Sequence, residues 1–474
     1  MSALNTIPLG TNICRKTDAY KLGHHAFYLA NEKIFSYFEA RKGAKYPYTL
    51  FFGLQMILPT LAGVQVTQEK IDAAEKVSLR RFGANSRFNR KGWEHILNNC
   101  GGKLPAEICA VAEGTKVPVD NALMTTVNTD KKSAWLVGHL ETLLTHVWYP
   151  CTVATNSASV KDLMNKKLIE SGADLGGLEY MLHDFGGRGV TGDQAAGRGG
   201  AAHLVNFNGS DTEEGAEYME HFYGTDPAVS IPATEHSVAT QGGREGEEGI
   251  VKKVLDEHPE GIVAMVGDSY DYYNFVENII GGTFRERIAA RPGKVVVRPD
   301  SVDGDKTPGI IMRWTLDTLW EKFGGTVNDK GFRVLNPCVG VIWGDGIRQP
   351  GIEEVFEKAM ASADGIKYSA ECVVFGMGGG LLQDINRDTQ RFAFKACARF
   401  IDGEWIDVFK CPIDQSKASK KGRMKLIKVD GVFKTVPLEA EGENLLVPVF
   451  LNGDIVKTYT LEEVRANAAV EPVL

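Results

Sequence analysis

One pattern recurs between about residue 180 and residue 385: a short apolar run ends in a polar loop, and a stretch able to form a helix follows. The apolar runs have the length of buried parallel strands. In α/β barrels and wound sheets, ligands bind at the carboxyl ends of such strands. The pattern therefore predicts an α/β fold with its functional residues in these loops. The runs with their loops are LVNFNGSD (204–211), GIVAMVGDSYD (261–271), VVVRPDS (295–301), VIWGDG (341–346) and VVFGMGGG (373–380).

Both ends of the chain have a different pattern. IFSYFEA (34–40) predicts a strand, and the apolar spacing of three and four in 133–150 predicts an amphipathic helix that stops at Pro150. After residue 385 the chain becomes basic and aromatic. We expect residues 1–150 and about 386–474 to form a flanking α+β domain, and about 151–385 to form the barrel domain.

Composition narrows the class of protein. A chain of 474 residues is long enough for about two domains. A net charge of −8 argues against a nucleic-acid binder, and the longest apolar stretch (51–64) contains Gln55 and Pro59, which argues against a membrane span. The eight cysteines contain no CxxC pair, as is typical of reduced thiols in a cytoplasmic protein.

Three strand ends carry residues suited to a sugar phosphate. In RPDS (298–301), Arg298 can supply charge-assisted donors, and Asp300 can accept from ribose hydroxyls or bind Mg²⁺. In GDG (344–346), Asp345 stands between glycines. GMGGG (376–380) can offer backbone N–H groups to a phosphate. As alternatives, RPDS contains only a structural salt bridge, GDG is a turn capped by Asp345, and GMGGG is a tight turn.

Two earlier loops suit a flat ring. HDFGGRG (183–189) joins Phe185, for stacking, to Arg188, and Asp211 of NGSD (208–211) can accept from an amide. As alternatives, Phe185 belongs to the core and Asp211 caps a helix. His236, beside Glu235, is either structural or an imidazole tuned for phosphoryl transfer.

Basic residues follow the last glycine loop. Arg387, Arg391 and Lys395 are spaced at i, i+4 and i+8 of a possible helix. Such a helix would have one basic face, which either binds polyphosphate or is solvated.

Taken together, these motifs resemble the nicotinamide phosphoribosyltransferases, of the type II phosphoribosyltransferase class. The resemblance covers nearly the whole chain, in the order of that family. The motifs are TDAYKLGHH (17–25), YFEARK (37–42), FFGLQ (51–55), WYPCTVATNS (148–157), LHDFGGRGV (182–190), AHLVNFNGSDT (202–212), PATEHS (232–237), GDSYDYYN (267–274), RPDS (298–301), GDG (344–346), GGGLLQ (378–383), NRD (386–388) and SKKGR (419–423).

The resemblance implies an enzyme that transfers the phosphoribosyl group of 5-phosphoribosyl pyrophosphate (PRPP) to nicotinamide, releasing nicotinamide mononucleotide and pyrophosphate in NAD salvage. It implies Mg²⁺, ATP as a facultative co-substrate, and a homodimer with active sites at the subunit interface. It also implies an irregular α/β barrel with a second α+β domain formed from both chain ends. Nicotinate phosphoribosyltransferase and a non-catalytic binding or signalling protein on the same fold are the rivals.

The resemblance also implies a role for each matching residue. Phe185 and the partner chain's Tyr20 would sandwich the pyridine ring, Arg188 would contact its amide, and Asp211 would select amide over acid. His236 would be the phosphorylated histidine, beside Asp268. The ribose and phosphate contacts would be Arg298, Asp300, Gly344, Asp345, Gly378 and Gly379, with Asp18, Arg41, Arg387 and Lys395 handling phosphates from the partner subunit; Asp268 and Asp300 are the candidates for Mg²⁺.

Three positions depart from the family pattern. Val302 stands where the family has the glycine of RPDSG, Met377 replaces a small polar residue, and Ala393 stands where many relatives have serine. We expect the first two changes to alter the loop geometry near the ribose, and the third to remove one phosphate contact.

Overall fold

The chain forms two compact units in the computed structural model, which describes residues 7–29, 32–360, 365–413 and 418–473. The terminal unit comprises Met1–Thr155, His221–Gly224 and Asn386–Leu474. The central unit comprises Asn156–Glu220 and Thr225–Ile385.

Within the described residues the strands are β1 (Lys33–Glu39), β2 (Tyr48–Leu50), β3 (Ala106–Ala110), β4 (Lys116–Pro118), β5 (Ala122–Asn128), β6 (Leu182–Asp184), β7 (Gly261–Val266), β8 (Gly293–Arg298), β9 (Gly325–Val327), β10 (Arg333–Leu335), β11 (Val339–Trp343), β12 (Val373–Met377), β13 (Ala393–Ile401), β14 (Glu404–Asp407), β15 (Met424–Val429), β16 (Val432–Pro437), β17 (Val447–Leu451) and β18 (Asp454–Ile455).

The α-helices of the same residues are α1 (Gln68–Phe82), α2 (Arg90–Asn99), α3 (Ala134–Thr145), α4 (Trp148–Ser171), α5 (Asp193–Leu204), α6 (Glu213–Tyr223), α7 (His236–Ala239), α8 (Glu247–Glu257), α9 (Tyr272–Asn274), α10 (Arg285–Ala290), α11 (Pro308–Phe323), α12 (Gln349–Met360), α13 (Gly379–Leu382) and α14 (Leu461–Ala468). A π-helix covers Phe275–Thr283, and short 3-10 helices cover Ile13–Arg15, Ala19–Ala26, Leu58–Thr60, Gly83–Asn85, Leu175–Tyr180, Gly187–Gly189, Arg244–Gly246 and Ala370–Cys372.

A parallel sheet in the order β6-β12-β11-β8-β7 forms the centre of the central unit. Its middle strands are continuous runs of apolar residues, which suit a sheet buried on both faces. Two irregular segments complete the ring, so the strands follow one another around it in chain order. The isolated parallel bridges that connect β6 back to β7 pair Asp184 with Ser210, Gly209 with Val229, and Ala233 with Ala264.

The barrel interior contains a small apolar cluster. Ala264, Val296 and Ile342, one from each of three neighbouring strands, are buried together. Phe185 and Ile231 pack partly against them. Because a parallel barrel brings all carboxyl strand ends to one rim, the loops after these strands face a common space.

The strand expected at 204–211 is wrong for most of its length. Helix α5 runs to Leu204, and only Gly209 and Ser210 make bridges. The close approach of the chain here requires glycine, since a Cβ at Gly209 would lie 2.8 Å from the His183 ring. Of the apolar run LVNF, Leu204 is the last residue of a buried helix, and residues 205–206 form the turn after it.

The terminal unit contains a seven-stranded sheet in the order β14-β13-β1-β5-β3-β17-β18. Every neighbouring pair in it is antiparallel. The amino-terminal strands are central and the carboxyl-terminal strands lie on both sides, so both chain ends build one sheet. The predicted fold class, an irregular α/β barrel with a second α+β domain from both chain ends, is confirmed. The strand predicted at 34–40 is also confirmed, as β1.

Two helix predictions are wrong, the first in its limits and the second altogether. The helix expected over 133–150 ends at Thr145, and a new helix begins at Trp148, so Pro150 lies in the first turn of α4. Proline is tolerated there because the first N–H groups of a helix have no partner within it. The helix considered for 387–395 does not form either. Arg391 has φ of 52°, and β13 begins at Ala393 and pairs with β1.

Two further findings concern membrane-spanning helices and disulfide bonds. Among the described residues no helix is both long enough and apolar enough to span a membrane. The eight cysteines form no disulfide among these residues.

Asp184 lies where β6 meets the irregular part of the barrel, and it is fully buried. Its Oδ1 accepts a hydrogen bond of 2.7 Å from the Gly186 N–H, and its carbonyl accepts one of 2.9 Å from the Asp211 N–H. Burial raises the pKa of Asp184 from its usual 3.8 to about 7, and the nearby negative charges of Asp211 and Glu214 act in the same direction. The folded protein therefore holds this carboxyl group in its neutral form in mildly acidic solution.

This raised pKa predicts a pH-dependent stability. From about pH 4 to about pH 7 the folded chain keeps a proton on Asp184 that the unfolded chain has lost, so the free energy of unfolding falls as pH rises. The loss amounts to at most about 4 kcal/mol and is complete above pH 7. Asp184→Asn should therefore gain stability relative to wild type between pH 5 and pH 8, measured as urea midpoints. If the two proteins differ in free energy of unfolding by the same amount at pH 5 and at pH 8, the raised pKa of Asp184 is contradicted.

Candidate functional site

A cavity of about 880 Å³ opens at the carboxyl-end rim of the barrel. Every residue that lines it belongs to the central unit. It brings together ten residues predicted from the sequence, contributed by six different strand-end loops. These are Phe185, Arg188, Asp211, His236, Arg298, Asp300, Gly344, Asp345, Gly378 and Gly379.

Phe185 is both a core residue and a wall of the cavity. One part of the ring packs on the apolar cluster inside the barrel, while the residue also lines the open space. Its backbone N–H donates to the Met377 carbonyl at 3.1 Å. A Cβ at Gly376 would lie 2.0 Å from the ring, so the glycine of β12 makes room for it. The ring is thus fixed as a flat surface at the base of the cavity.

Polar groups line the same cavity as this flat surface. Asp211 is exposed, and its Oδ1 accepts a hydrogen bond from the Ser230 hydroxyl. Arg188 lies in the short helix that follows Phe185. Glu213 and Glu214, in the first turn of α6, line the same region. A planar molecule on Phe185 would therefore share the cavity with the Arg188 guanidinium and these carboxylates.

His236 begins the short helix α7 and is held between two carboxylates. Its Nε2 lies 2.9 Å from Asp268 Oδ1, and its Nδ1 lies 3.7 Å from Asp300 Oδ2. Because a carboxylate only accepts hydrogen bonds, the short contact assigns the proton of the neutral ring to Nε2. Nδ1 then carries a lone pair, and the side chain is 46% exposed.

Asp268 does not line the cavity but connects two of its loops. Its Oδ2 accepts hydrogen bonds from the Asp300 N–H, at 3.2 Å, and from the Ser301 hydroxyl. Its side chain is 7% exposed. Asp268 therefore orients the imidazole of His236 and the RPDS loop together.

Arg298 and Asp345 complete the middle of the cavity. Nε of Arg298 is buried without a hydrogen-bond partner among the described residues, and it lies 4.0 Å from Asp300 Oδ1. Burial raises the pKa of Asp345, and the charges of Asp300 and Asp268 raise it further. The three carboxylates are thus close enough to repel one another, and an unsatisfied donor lies beside them.

The glycine loop forms the far wall. Gly378 is the N-cap of α13, and a Cβ there would lie 3.2 Å from the Phe185 carbonyl. A Cβ at Gly380 would lie 2.5 Å from the Ile347 carbonyl, whereas Gly379 faces open space. Gly380 is therefore required for packing, while Gly379 leaves its backbone open to a ligand.

Five predicted residues belong to the terminal unit: Asp18, Tyr20, Arg41, Arg387 and Lys395. Tyr20 is 62% exposed, and Asp18 accepts a hydrogen bond of 2.8 Å from the Thr142 hydroxyl. Burial lowers the pKa of Lys395, and the positive charges of Arg41 and Arg387 lower it further. These basic residues are therefore neighbours, although they are not on a helix.

Sequence reasoning missed the residues that support the predicted ones. Asp184, Ser230 and Ser301 have no signal of their own, since their roles depend on burial or on one hydrogen bond. Glu213 and Glu214 do have a signal, because they stand two and three residues after Asp211. Because acidic residues are common in the first turn of any helix, this signal does not single them out as residues of the cavity wall.

Comparisons with known proteins agree with this architecture. The model of the nicotinate phosphoribosyltransferase (NAPRTase) family matches residues 180–451, more than half of the chain, and the model of the nicotinamide phosphoribosyltransferase N-terminal domain matches residues 12–108. A protein of Xanthomonas campestris pv. campestris (strain 8004) named nicotinamide phosphoribosyltransferase is 44% identical over 471 residues, covering 96% of this chain and 98% of the relative.

Two solved structures share the fold. Nicotinate-nucleotide pyrophosphorylase from Pyrococcus furiosus has a TM-score of 0.62 at 15% identity, covering 99% of this chain and 97% of its own. Human nicotinic acid phosphoribosyltransferase has a TM-score of 0.56 at 16% identity, covering 95% of this chain and 92% of its own. At such identities the likeness concerns the fold alone. The family model and the 44% identical relative show that the chain belongs to the nicotinamide phosphoribosyltransferase family, within the type II phosphoribosyltransferases.

Proposed function

We propose that this chain transfers the 5-phosphoribosyl group of PRPP to nicotinamide, giving nicotinamide mononucleotide and pyrophosphate, as a step of NAD salvage. One observation carries the proposal: a single cavity joins a flat aromatic surface with an amide-accepting carboxylate to a region of arginine, aspartate and open glycine backbone. The first part suits a pyridine carboxamide, and the second suits a ribose phosphate. The name of the 44% identical relative supports the same reaction.

The nicotinamide subsite is formed by Phe185, Arg188 and Asp211. The ring stacks on Phe185, with Tyr20 of a second chain on its other face. Asp211 accepts from the amide –NH₂, and Arg188 donates to the amide oxygen. The pyridine nitrogen is then directed toward the ribose region.

The ribose and phosphates occupy the middle and far wall. Arg298 offers a buried N–H that lacks a partner among the described residues, and Asp300 and Asp345 accept from the ribose hydroxyls. The backbone N–H groups of Gly378 and Gly379 donate to a phosphate. Gly344 allows the sugar to approach the chain closely, since its missing side chain leaves space beside Asp300.

The charge of the cavity requires added cations. Six carboxylates and two arginines line it, whereas PRPP is itself strongly negative. Mg²⁺ fits this need, because Asp300 and Asp345 are carboxylates that repel each other, while both oxygens of Asp268 already accept hydrogen bonds. When bound, Mg²⁺ neutralises the diphosphate and improves it as a leaving group.

We assign to a second subunit the further positive charge that PRPP needs in this acidic cavity. Arg41, Arg387 and Lys395 are neighbours in the terminal unit, and Asp18 lies near the exposed Tyr20 in sequence. In a homodimer they would complete the partner's site. We expect neither nucleic acid nor a membrane as a partner, the former because the net charge is −8, and a cytoplasmic location agrees with cysteines that form no disulfide among the described residues.

The chemical step needs positioning more than a base. The bond from the anomeric carbon to the pyrophosphate oxygen breaks as the bond to the pyridine nitrogen forms. The pyridine nitrogen carries no proton, so no residue has to remove one. Asp300 and Asp345 stabilise the cation-like sugar, and the stacked ring stands close to the reacting carbon.

His236 is assigned to ATP coupling. Asp268 holds Nε2, so Nδ1 is the atom free to attack the γ-phosphorus of ATP, releasing ADP. The resulting phosphohistidine places a dianion beside Asp300, where it would favour Mg²⁺ and PRPP. Transfer of that phosphoryl group to water completes the ATP hydrolysis.

Nicotinate is the rival substrate. Its carboxylate would meet Asp211, Glu213 and Glu214, and one such contact at about 4 Å costs about 4 kcal/mol at an effective dielectric constant of about 20. Solvent screening reduces this cost, because Asp211 is exposed. A non-catalytic binding protein is the other rival. It would have no need for an imidazole oriented by Asp268.

The wild-type enzyme should prefer nicotinamide to nicotinate by at least about tenfold in kcat/KM. Asp211→Asn should lower that preference by about 10- to 100-fold, because the repelling charge is gone while the shape is kept. Competition between the two substrates with PRPP and Mg²⁺ measures both effects. Asp226→Asn, an exposed carboxylate of the same unit away from the cavity, is the matched control. A wild type that prefers nicotinate would refute the assignment of Asp211.

Loss of the imidazole should uncouple ATP from transfer. His236→Ala is expected to abolish ATP hydrolysis and ATP stimulation while leaving some basal transfer, and Asp268→Asn should slow phosphorylation by disorienting the ring. Labelling with γ-labelled ATP and assays with and without ATP measure this. His258→Ala, at the end of α8, serves as the control. Persistent ATPase activity in His236→Ala would exclude the phosphohistidine.

A shared active site predicts complementation between chains. Tyr20→Ala and Phe185→Ala should each be nearly inactive alone, but a mixed dimer regains one site with both aromatic residues. Differently tagged chains allow the mixed dimer to be isolated and its activity measured. Up to half of the wild-type activity is expected. Isolated mixed dimers as inactive as either parent would contradict the shared site.

A further inference from the structure

A second cluster of chemically active side chains lies in the terminal unit. His95 projects from α2, Cys100 is the C-cap of that helix, and Asp130 lies in the turn between β5 and α3. One ligand atom of each lies within 4.8 Å of the other two. All three residues are partly exposed, so ions in solution can reach them.

Asp130 is held in place by groups that surround it. Its Oδ1 accepts hydrogen bonds from the Lys132 N–H and the Ser133 hydroxyl, both at 2.9 Å, and lies 3.0 Å from His95 Nε2. Asn128 Nδ2 donates to its carbonyl at 2.7 Å. The carboxylate is thus oriented in the way that outer hydrogen bonds orient a metal ligand, and Oδ2 remains as a second coordinating oxygen.

Cys100 is positioned by the end of α2. Its N–H donates to the Ile96 carbonyl at 3.0 Å, and its own carbonyl accepts from the Lys103 N–H at 3.1 Å. Gly101 and Gly102 follow with φ of 61° and 73°, so the chain turns sharply away after the thiol. The thiol and His95 are therefore both fixed to one helix end.

The spacing of the three donors is compatible with a small tetrahedral ion: their ligand atoms lie within 4.8 Å of one another, so no pair has to close by more than about 1.5 Å. With metal bonds of about 2.0 to 2.3 Å, nitrogen, oxygen and sulfur ligands stand about 3.3 to 3.6 Å apart. The His95 to Asp130 separation of 3.0 Å needs to open by only a few tenths of an ångström. An ordinary histidine–aspartate pair explains that contact but does not explain a thiol beside it.

The donor set selects the kind of ion. Thiolate and imidazole suit Zn²⁺, whereas Mg²⁺ and Ca²⁺ prefer oxygen ligands. We propose that Zn²⁺ binds to His95, Cys100 and Asp130, with water in the fourth position, and joins the end of α2 to the turn before α3. On binding, the Cys100 thiol releases one proton to solvent. The neutral His95 ring, whose Nε2–H points to Asp130 in the metal-free chain, changes tautomer, so that its proton lies on Nδ1 and Nε2 binds the metal.

The test uses the full-length protein after treatment with a chelator. Titration should give one Zn²⁺ per chain with a micromolar or lower Kd, unaffected by excess Mg²⁺. Co²⁺ in the same site should show a thiolate-to-cobalt charge-transfer band in the near ultraviolet. Cys100→Ser should remove this band, and both Cys100→Ser and His95→Gln should weaken Zn²⁺ binding by more than about 100-fold.

Two further variants separate this site from adventitious binding. Ser133→Ala leaves the three ligands in place but removes a hydrogen bond to Asp130, so we expect binding to weaken about tenfold. Cys411→Ser removes the exposed thiol and should change nothing. Zn²⁺ should raise the melting temperature of the wild type but not of Cys100→Ser.

Several results would overturn the proposal. They are the absence of Zn²⁺ binding in the micromolar range, binding that survives both Cys100→Ser and His95→Gln, and binding lost in Cys411→Ser. Equal melting temperatures of the metal-free proteins establish that the variants fold. If the metal-free Cys100→Ser protein melts at a lower temperature than the wild type, Zn²⁺ binding by His95→Gln and Ser133→Ala tests the site instead.

Discussion

Closure of the barrel by a few backbone contacts is the constraint on which the candidate site depends. Five regular strands form most of the ring, and isolated bridges from Ser210, Val229 and Ala233 complete it. The Asp211 N–H donates to the Asp184 carbonyl, and the Ala264 N–H donates to the Pro232 carbonyl, both at 2.9 Å. Without these contacts the loops that carry Asp211 and His236 would have no fixed position on the rim.

Closure also explains why a carboxylic acid is buried in this region. Asp184 ends the strand β6 at the irregular part of the ring, and the N–H of Gly186 needs an acceptor there. Burial of the carboxyl group in this arrangement raises the pKa of Asp184. The neutral form avoids adding another charge behind a rim that already contains Asp211 and Glu214.

The sequence predicted regular parts well and irregular parts poorly, for a physical reason. β8, β11 and β12 are runs of apolar residues buried on both faces, so local composition is enough to identify them. The bridges at 209–210 are set by the close contact of Gly209 with His183, which no local pattern reveals. LVNF was therefore interpreted as a strand, although Leu204 ends a helix and residues 205–206 form a turn.

The other errors share this cause. Pro150 stops a helix in one context and opens one in another, and the choice depends on where the preceding helix ends. The spacing of Arg387, Arg391 and Lys395 suits a helix, but pairing of β13 with β1 gives Phe394 and Ala398 buried positions in a sheet. For the site, motifs predicted ten of the residues that line the cavity, but not Glu213 and Glu214. Asp184, Ser230 and Ser301 were missed because a supporting role through burial or one hydrogen bond produces no recognisable sequence pattern.

The position of Asp268 suggests how the two halves of the proposed reaction communicate. One of its oxygens contacts His236 and the other holds the Asp300 N–H and the Ser301 hydroxyl. A phosphoryl group on His236 Nδ1 would lie on the side of Asp300, whose Oδ2 is 3.7 Å away in the unmodified protein. Two negative groups at that distance repel, and a shared cation relieves the repulsion. Phosphorylation would thus raise the affinity of the ribose region for Mg²⁺ and its diphosphate without moving the barrel. Since Asp268 ties the histidine to the loop of Asp300, the effect needs no change beyond this one hydrogen-bonded unit.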